Sequence, residues 1–421
     1  MLISALLPLA SGVLVALLSS ASAQDSSNNT LPLSSDDSFN FELITGLGES
    51  TYRGGDIAPM LKAATQIKLV TPSTALRTRA VPPLKTQLLR TTASTSETLA
   101  AANYYRRADF YLHNNWTDPR ITSYWDLQTT CFNAAIAALP VPGLRIQIPA
   151  DGFHVEAIFY GVDPPGTNHT RPTIILGNGY DYAQEDLLHG PGFAALERGW
   201  NVITYDGPGQ PSVRRNQSLG FIYDWEKVVT PVVDYLHTRT DVDTSRIVLF
   251  GNSFGGYLAA RAAAFEPRLA ALALDGGIWD VHAAFIAQLP PSLLSLYNSG
   301  QKKKFDAAGV SILTDTSLPS GTRWGLGQGL WSFKIKSAYD WYDATKLYTV
   351  KDITDQIQMP VWVANAEYDQ FFPGQAAYVA NALGSRATLH NFTGAAGYHS
   401  QSGSLSELNR VLFSWLNATL S

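Results

Sequence analysis

Cysteine is nearly absent: Cys131 is the only one in 421 residues. No disulfide framework or cysteine-rich metal site is therefore open to the chain, and its core must hold the fold. A basic excess is missing too. The formal net charge of −5 argues against nucleic acid and anionic membrane surfaces as partners. Beyond the first residues, no apolar run is long enough to span a bilayer. The eight histidines are scattered, with no His-x-x-x-His or Cys-x-x-Cys spacing, so no metal is expected. Gly46-Leu-Gly-Glu-Ser50 is not followed by a dinucleotide or phosphate fingerprint, and no cofactor is expected.

What is present is apolar bulk. Hydrophobic residues make up 45% and charged residues 15%, the balance of a globular chain with a large core. The length favours a core with an appended or inserted part. Met1 to Leu18 has no charged side chain, and Ala21-Ser-Ala23 follows as a small-residue cleavage site. Residues 1–23 read as a secretory signal peptide, with a signal anchor as the alternative because no Lys or Arg precedes the apolar run. After cleavage no stable membrane span is expected, and the protein would be secreted or held in the secretory pathway. Six glycosylation sequons agree with that route, at Asn28, Asn115, Asn168, Asn216, Asn391 and Asn417. Cys131, in an apolar helical pattern, reads as buried and inert.

Residues 24–40 are rich in Ser, Asn and Asp and read as a disordered lead-in. Residues 41–143 read as a helical N-terminal cap region. Ala101, Tyr104, Ala108 and Tyr111 make one helical stripe there, and Trp125, Phe132, Ile136 and Leu139 make another. From 144 onward, strands alternate with helices after an opening hairpin around Ala150-Asp-Gly152. That pattern predicts an α/β class, with a mostly parallel, doubly wound sheet covered on both faces. One helix is expected over Glu185–Arg198. Residues 278–350 interrupt the strands with turn residues and aromatics and read as a cap inserted after the sixth strand.

The chemistry centres on Gly251-Asn-Ser253-Phe-Gly255, between the apolar strand Ile247–Phe250 and an Ala-rich helix. This is the context of a nucleophile elbow: a strained turn that exposes a serine above a helix N-terminus. A serine needs a base, and the base needs an acid to orient it. Both are expected on loops after later strands. Asp369 follows Val361–Ala364, with Glu367 as its rival; His399 follows Ala387–Phe392, with His390 as the weaker candidate. Phe254 and the Gly177–Tyr180 loop, through Gly179 or Tyr180, are the expected donors to an oxyanion. Asp280 is a possible auxiliary acid.

Ala102-Asn-Tyr-Tyr-Arg-Arg-Ala-Asp-Phe-Tyr-Leu-His113, Asp206-Gly-Pro-Gly-Gln210, the elbow and Asp275-Gly-Gly-Ile-Trp-Asp280 together carry a resemblance. From about Leu99 onward the chain resembles a subgroup of α/β-hydrolases. That subgroup includes 2,6-dihydroxypseudooxynicotine hydrolase and fungal hydrolases of polyketide pigment and mycotoxin pathways. The resemblance implies an α/β-hydrolase fold with a helical N-terminal cap, and a Ser253–His399–Asp369 triad. It also implies cleavage beside a carbonyl, of a C–C bond or an ester, in an aromatic or polyketide-like small molecule. Pro211 departs from the glycine the subgroup often places there. A secreted carboxylesterase of broad range and a non-catalytic ligand-binding homologue are the alternatives. The sequence leaves the oligomeric state open.

Overall fold

The computed structural model describes residues 32–68 and 94–421. The expected signal peptide and Asn28 lie outside these residues. Two helices come first, α1 (Asp37–Glu49) and α2 (Ile57–Lys68). Asp36 starts α1 by accepting the backbone N–H of Phe39 on its side chain. The end of the expected disordered lead-in is therefore helical from Asp37. Next come α3 (Thr95–Asp109), opened by a capping box between Ser94 and Glu97, and α4 (Arg120–Ala137).

The rest is built on eight strands: β1 (Leu144–Pro149), β2 (His154–Tyr160), β3 (Arg171–Gly177), β4 (Asn201–Asp206), β5 (Val242–Asn252), β6 (Ala271–Asp275), β7 (Val361–Ala366) and β8 (Ala387–Phe392). They form one sheet in the order β1-β2-β4-β3-β5-β6-β7-β8. The hairpin β1–β2 and the pair β2–β4 are antiparallel; the other pairs are parallel. Between them lie α5 (Pro191–Leu196), α6 (Pro211–Asn216), α7 (Glu226–His237) and α8 (Gly255–Ala263). The insertion supplies α9 (Val281–Ala287), α10 (Pro291–Asn298), α11 (Lys302–Thr314), α12 (Ser320–Phe333) and α13 (Ala338–Ala344). The chain closes with α14 (Gln375–Leu383) and α15 (Leu405–Leu420).

Period-two alternation divides the core. Ile247 and Leu249 face one way, into a layer with α7, α8 and the insertion. Val248 and Phe250 face the other way, against α4, α5 and α15. Burial on both faces is why β5 reads as an unbroken apolar run. Through Phe132 and Ile136, α4 belongs to the sheet's second layer, although the sequence places it in a cap. Cys131 on α4 is half-buried against that layer, and burial raises its thiol pKa, which disfavours the thiolate.

Three local expectations differ from the structure. The single helix over Glu185–Arg198 is instead a short 3-10 turn, Asp186–His189, followed by α5, because Pro191 can only begin a helix. Pro211 likewise opens α6, which the sequence reading lacks. The stripe on α3 is rotated: its buried face carries Leu99, Ala102, Tyr105, Arg106 and Asp109, while Tyr104 and Ala108 are half-exposed. No helix among the described residues is long and apolar enough to cross a membrane.

Candidate active site

The elbow is set by close packing. Ser253 has φ +57°, in the left-handed region that costs a residue with a Cβ on the order of 1–3 kcal/mol. Two backbone bonds hold it there. Its N–H donates to the Asp275 carbonyl at 2.7 Å, and its own carbonyl accepts the Gly256 N–H at 2.7 Å. A side chain at Gly251 would strike the Gly255 carbonyl, so the turn requires a glycine at that point. The helix α8 begins at Gly255, which places its N-terminal amides beneath the serine.

Ser253, His399 and Asp369, distant in sequence, form one hydrogen-bonded line. His399 Nε2 lies 2.7 Å from Ser253 Oγ, and His399 Nδ1 lies 2.8 Å from Asp369 Oδ2. The other carboxylate oxygen of Asp369 accepts the backbone N–H groups of Phe371 and Phe372, both at 2.9 Å. Burial pushes the Asp369 carboxyl up, but His399 and those two N–H donors outweigh it, and its pKa falls below the usual value. For His399, burial opposes the charged imidazole; Asp369, with Asp275 and Asp181 in support, outweighs it and raises the pKa. The surroundings thus favour the carboxylate form of Asp369 and the charged form of His399. The rivals are engaged elsewhere: Glu367 accepts the Gly394 N–H, and His390 packs beside Trp362 and Phe392.

These observations can be set beside known proteins. The alpha/beta hydrolase family matches residues 174–401, more than half of the chain, including all three aligned side chains. The chain belongs to the alpha/beta hydrolase family. It is 27% identical over 406 residues to the hydrolase LUC6 of Fusarium sp, covering 90% of this chain and 96% of that protein. It is 28% identical over 414 residues to 20-hydroxy-prefusarin hydrolase FUS2 of Gibberella moniliformis, covering 91% and 96%. The crystal structure of 2,6-dihydroxy-pseudo-oxynicotine hydrolase shares the fold, with a TM-score of 0.64 at 19% identity over 88% of this chain and 94% of that one. The subgroup resemblance seen in the sequence motifs agrees with these matches.

In this hydrolase the backbone N–H groups of Phe254 and Tyr180 donate to no acceptor among the described residues. Gly179 brings the two stretches together: a Cβ there would sit 2.8 Å from Phe254 N. The loop is braced from below by the Asp206-Gly-Pro-Gly-Gln210 motif. Asp206 accepts from Asn178 Nδ2 at 2.9 Å and from the Ser212 N–H at 2.9 Å, and Gln210 Nε2 donates to the Asn178 carbonyl at 2.8 Å. Burial, with Glu185 adding to it, pushes Asp206 up to about 7 against the pull of its donors. The motif that carries the subgroup resemblance is thus a buried bracket for the loop.

The carboxylate of Asp280 caps α9 by accepting the Ala283 N–H at 2.7 Å and pairs with Lys351. Two acids that the sequence reading missed act electrostatically on His399. Asp181, in the loop after β3, is pushed up to about 6 by burial, against Arg106, His399 and Arg107. Asp275 ends β6. The sequence signal for Asp275 was a lone carboxylate closing an apolar strand. Above the triad, Phe371 packs edge-on against His399 with centroids 4.8 Å apart, and Tyr180 packs against Phe285 and Trp324 at 6.0 and 6.2 Å. Among the described residues, no group of three His, Cys, Asp or Glu side chains could hold a metal ion. The five sequons among them, Asn115, Asn168, Asn216, Asn391 and Asn417, are all exposed.

Proposed function

We propose that this hydrolase cleaves a bond beside a carbonyl, in a C–C or ester substrate of aromatic or polyketide-like structure, with Ser253 as nucleophile. His399 Nε2 takes the Ser253 Oγ proton as Oγ bonds to the carbonyl carbon, and Asp369 stabilises the imidazolium. The N–H groups of Phe254 and of the Gly179–Tyr180 stretch receive the oxyanion. As the intermediate collapses, the His399 proton passes to the leaving group, an alkoxide or a carbanion equivalent. Water, deprotonated by the same imidazole, then releases the acyl group from Ser253. The observation that carries this reading is the unbroken line Ser253–His399–Asp369 with two amide N–H groups beside it that lack an acceptor among the described residues. Tyr180, Trp324 and Phe371 above the site suit a planar substrate. Two relatives matched along nine-tenths of the chain are hydrolases, one of them of 20-hydroxy-prefusarin.

A panel of aryl β-diketones and matched aryl esters, with products identified by mass spectrometry, tests the reaction class. Carboxylic acid release that disappears in Ser253→Ala is the expected result. Turnover kept at the wild-type rate in Ser253→Ala would refute the mechanism. For location we propose passage through the secretory pathway, on the strength of residues 1–23 and the exposed sequons. Mobility loss on deglycosylation of protein from a eukaryotic host checks it.

A further inference from the structure

Asp275 is fully buried at the end of β6, directly under the elbow, where its carbonyl holds the Ser253 N–H. Neither of its carboxylate oxygens meets a donor at full hydrogen-bond geometry, and the Gln401 side chain is the donor beside it. Leaving a buried polar group unpartnered costs about 1–3 kcal/mol, and more for a charge, so this is not a neutral way to fill space. The carboxyl borders a cavity of about 10 Å³ that is also lined by Asp369, Ser400 and Gln401. Ser400 Oγ and Gln401 Oε1 are buried without partners as well. Both residues follow His399 directly and hold left-handed backbone angles, with φ of 53° and 45°. Strain and unmet polar groups are therefore gathered on the segment that carries the base.

The titratable groups that face Asp275 are His399 and Asp369, and those that face His399 are Asp369, Asp275 and Asp181. Burial pushes the Asp275 carboxyl up to about 7; His399 pulls it down, Asp369 pushes it up, and Gln401 eases it down. Its charge therefore changes over the range in which an imidazole titrates. A second carboxyl set this way favours the imidazolium formed when His399 takes the serine proton, without bonding to the ring itself.

We propose that Asp275 is a positioning residue of this site: a second carboxyl behind the His399–Asp369 pair that tunes the base and partly replaces Asp369 when Asp369 is lost. This rests on the reading of Ser253 as nucleophile and His399 as its base. It follows that the acid after β7 and the carboxyl after β6 act on one imidazole from two strand ends. Their effects should be coupled rather than additive.

The test uses the rate of fluorophosphonate labelling of Ser253 as a function of pH, which needs no knowledge of the natural substrate. Wild type, Asp275→Asn, Asp369→Asn and the double variant are compared on the full-length protein. In Asp275→Asn the acid limb of the profile should move to lower pH by roughly half a unit or more, because a negative charge that raised the His399 pKa is gone. Asp369→Asn should slow labelling by on the order of 10⁴-fold. The double variant should fall further still, by a larger factor than Asp275→Asn causes alone. A merely structural Asp275 would lower the melting temperature and leave the limb in place; that result overturns the proposal, as does a double variant no slower than Asp369→Asn. Asp275→Ala gives the same readout if the asparagine variant does not fold. Failure of wild type to label at Ser253 would contradict the parent reading. Labelling with an unmoved limb would contradict this inference alone.

Discussion

Two helical regions flank the active site, and they are attached by different physics. The N-terminal helices are held through charge. Arg107 reaches Glu42 at 2.8 Å and Glu49 at 2.7 Å, and Arg106 pairs with Asp186 at 3.3 Å in the loop after β3. The insertion is held by rings. Phe333 meets Phe221 at 5.2 Å, and Tyr348 meets Tyr257 at 5.3 Å and Phe254 at 5.7 Å. The difference matters because only one of these attachments can titrate. Glu42, Glu49, Asp181 and Asp186 crowd the guanidiniums of Arg106 and Arg107, and Asp109 lies between Arg106 and Arg215. Burial pushes Glu42 up to about 8 and Asp186 up to about 6, against the pull of the two arginines.

The largest effect expected from breaking this comparison is on Arg107. Arg107→Ala removes the ion-pair partner of buried Glu49 and leaves it only the Asn103 amide, for a loss of about 3–5 kcal/mol in denaturant unfolding. Trp341→Ala in the insertion removes a buried ring for a similar loss, about 3–5 kcal/mol. The two variants should part when the pH changes: the Arg107 loss varies with pH and the Trp341 loss does not.

A smaller effect is expected from pH alone. A carboxyl with a raised folded-state pKa keeps a proton that the unfolded chain has already released. Stability is then full below the unfolded value of about 4 and falls as pH rises through the folded values. For this cluster the fall runs from about 4 to about 8, where Glu42 completes it. Corrected hydrogen-exchange protection of α1 and α3 should drop by at least about 1.4 kcal/mol, a tenfold change in equilibrium, over that window. Protection of α11 to α13 should stay level. Parallel loss in both regions would erase the distinction.

The smallest effect concerns Lys302, exposed and paired with Asp340 at the surface of the insertion. Lys302→Ala should leave the melting curve unmoved, since a solvated pair contributes little. A clear drop would mean that charge matters in the insertion as well.

The same contrast explains what could be read from the sequence. The sheet was legible because central strands buried on both faces leave apolar runs, as Ile247–Phe250 does; the edge strand β8, though mostly exposed, also has the expected bounds, Ala387–Phe392. The elbow was legible because its sterics demand glycines at fixed spacing. The order of Ser253, Asp369 and His399 followed from the sheet's connectivity. The face of α3 was not legible, since Arg106 and Asp109 are buried by partners far away in sequence, and periodicity counts apolar residues only. The capping role of Asp280 was not legible for a related reason: a cap shows only once the helix it serves is seen. Asp275 and Asp181 stayed silent because their meaning lies in the group they face, and that group is His399, more than a hundred residues away.

The central claim is that Ser253 is an activated nucleophile. Intact-mass analysis after fluorophosphonate treatment, on wild type and on Ser253→Ala, tests it most directly. The account predicts one adduct on the wild type, mapped to Ser253, and none on the variant. Folded wild-type protein that takes up no adduct, or a variant labelled as readily as wild type, would contradict it.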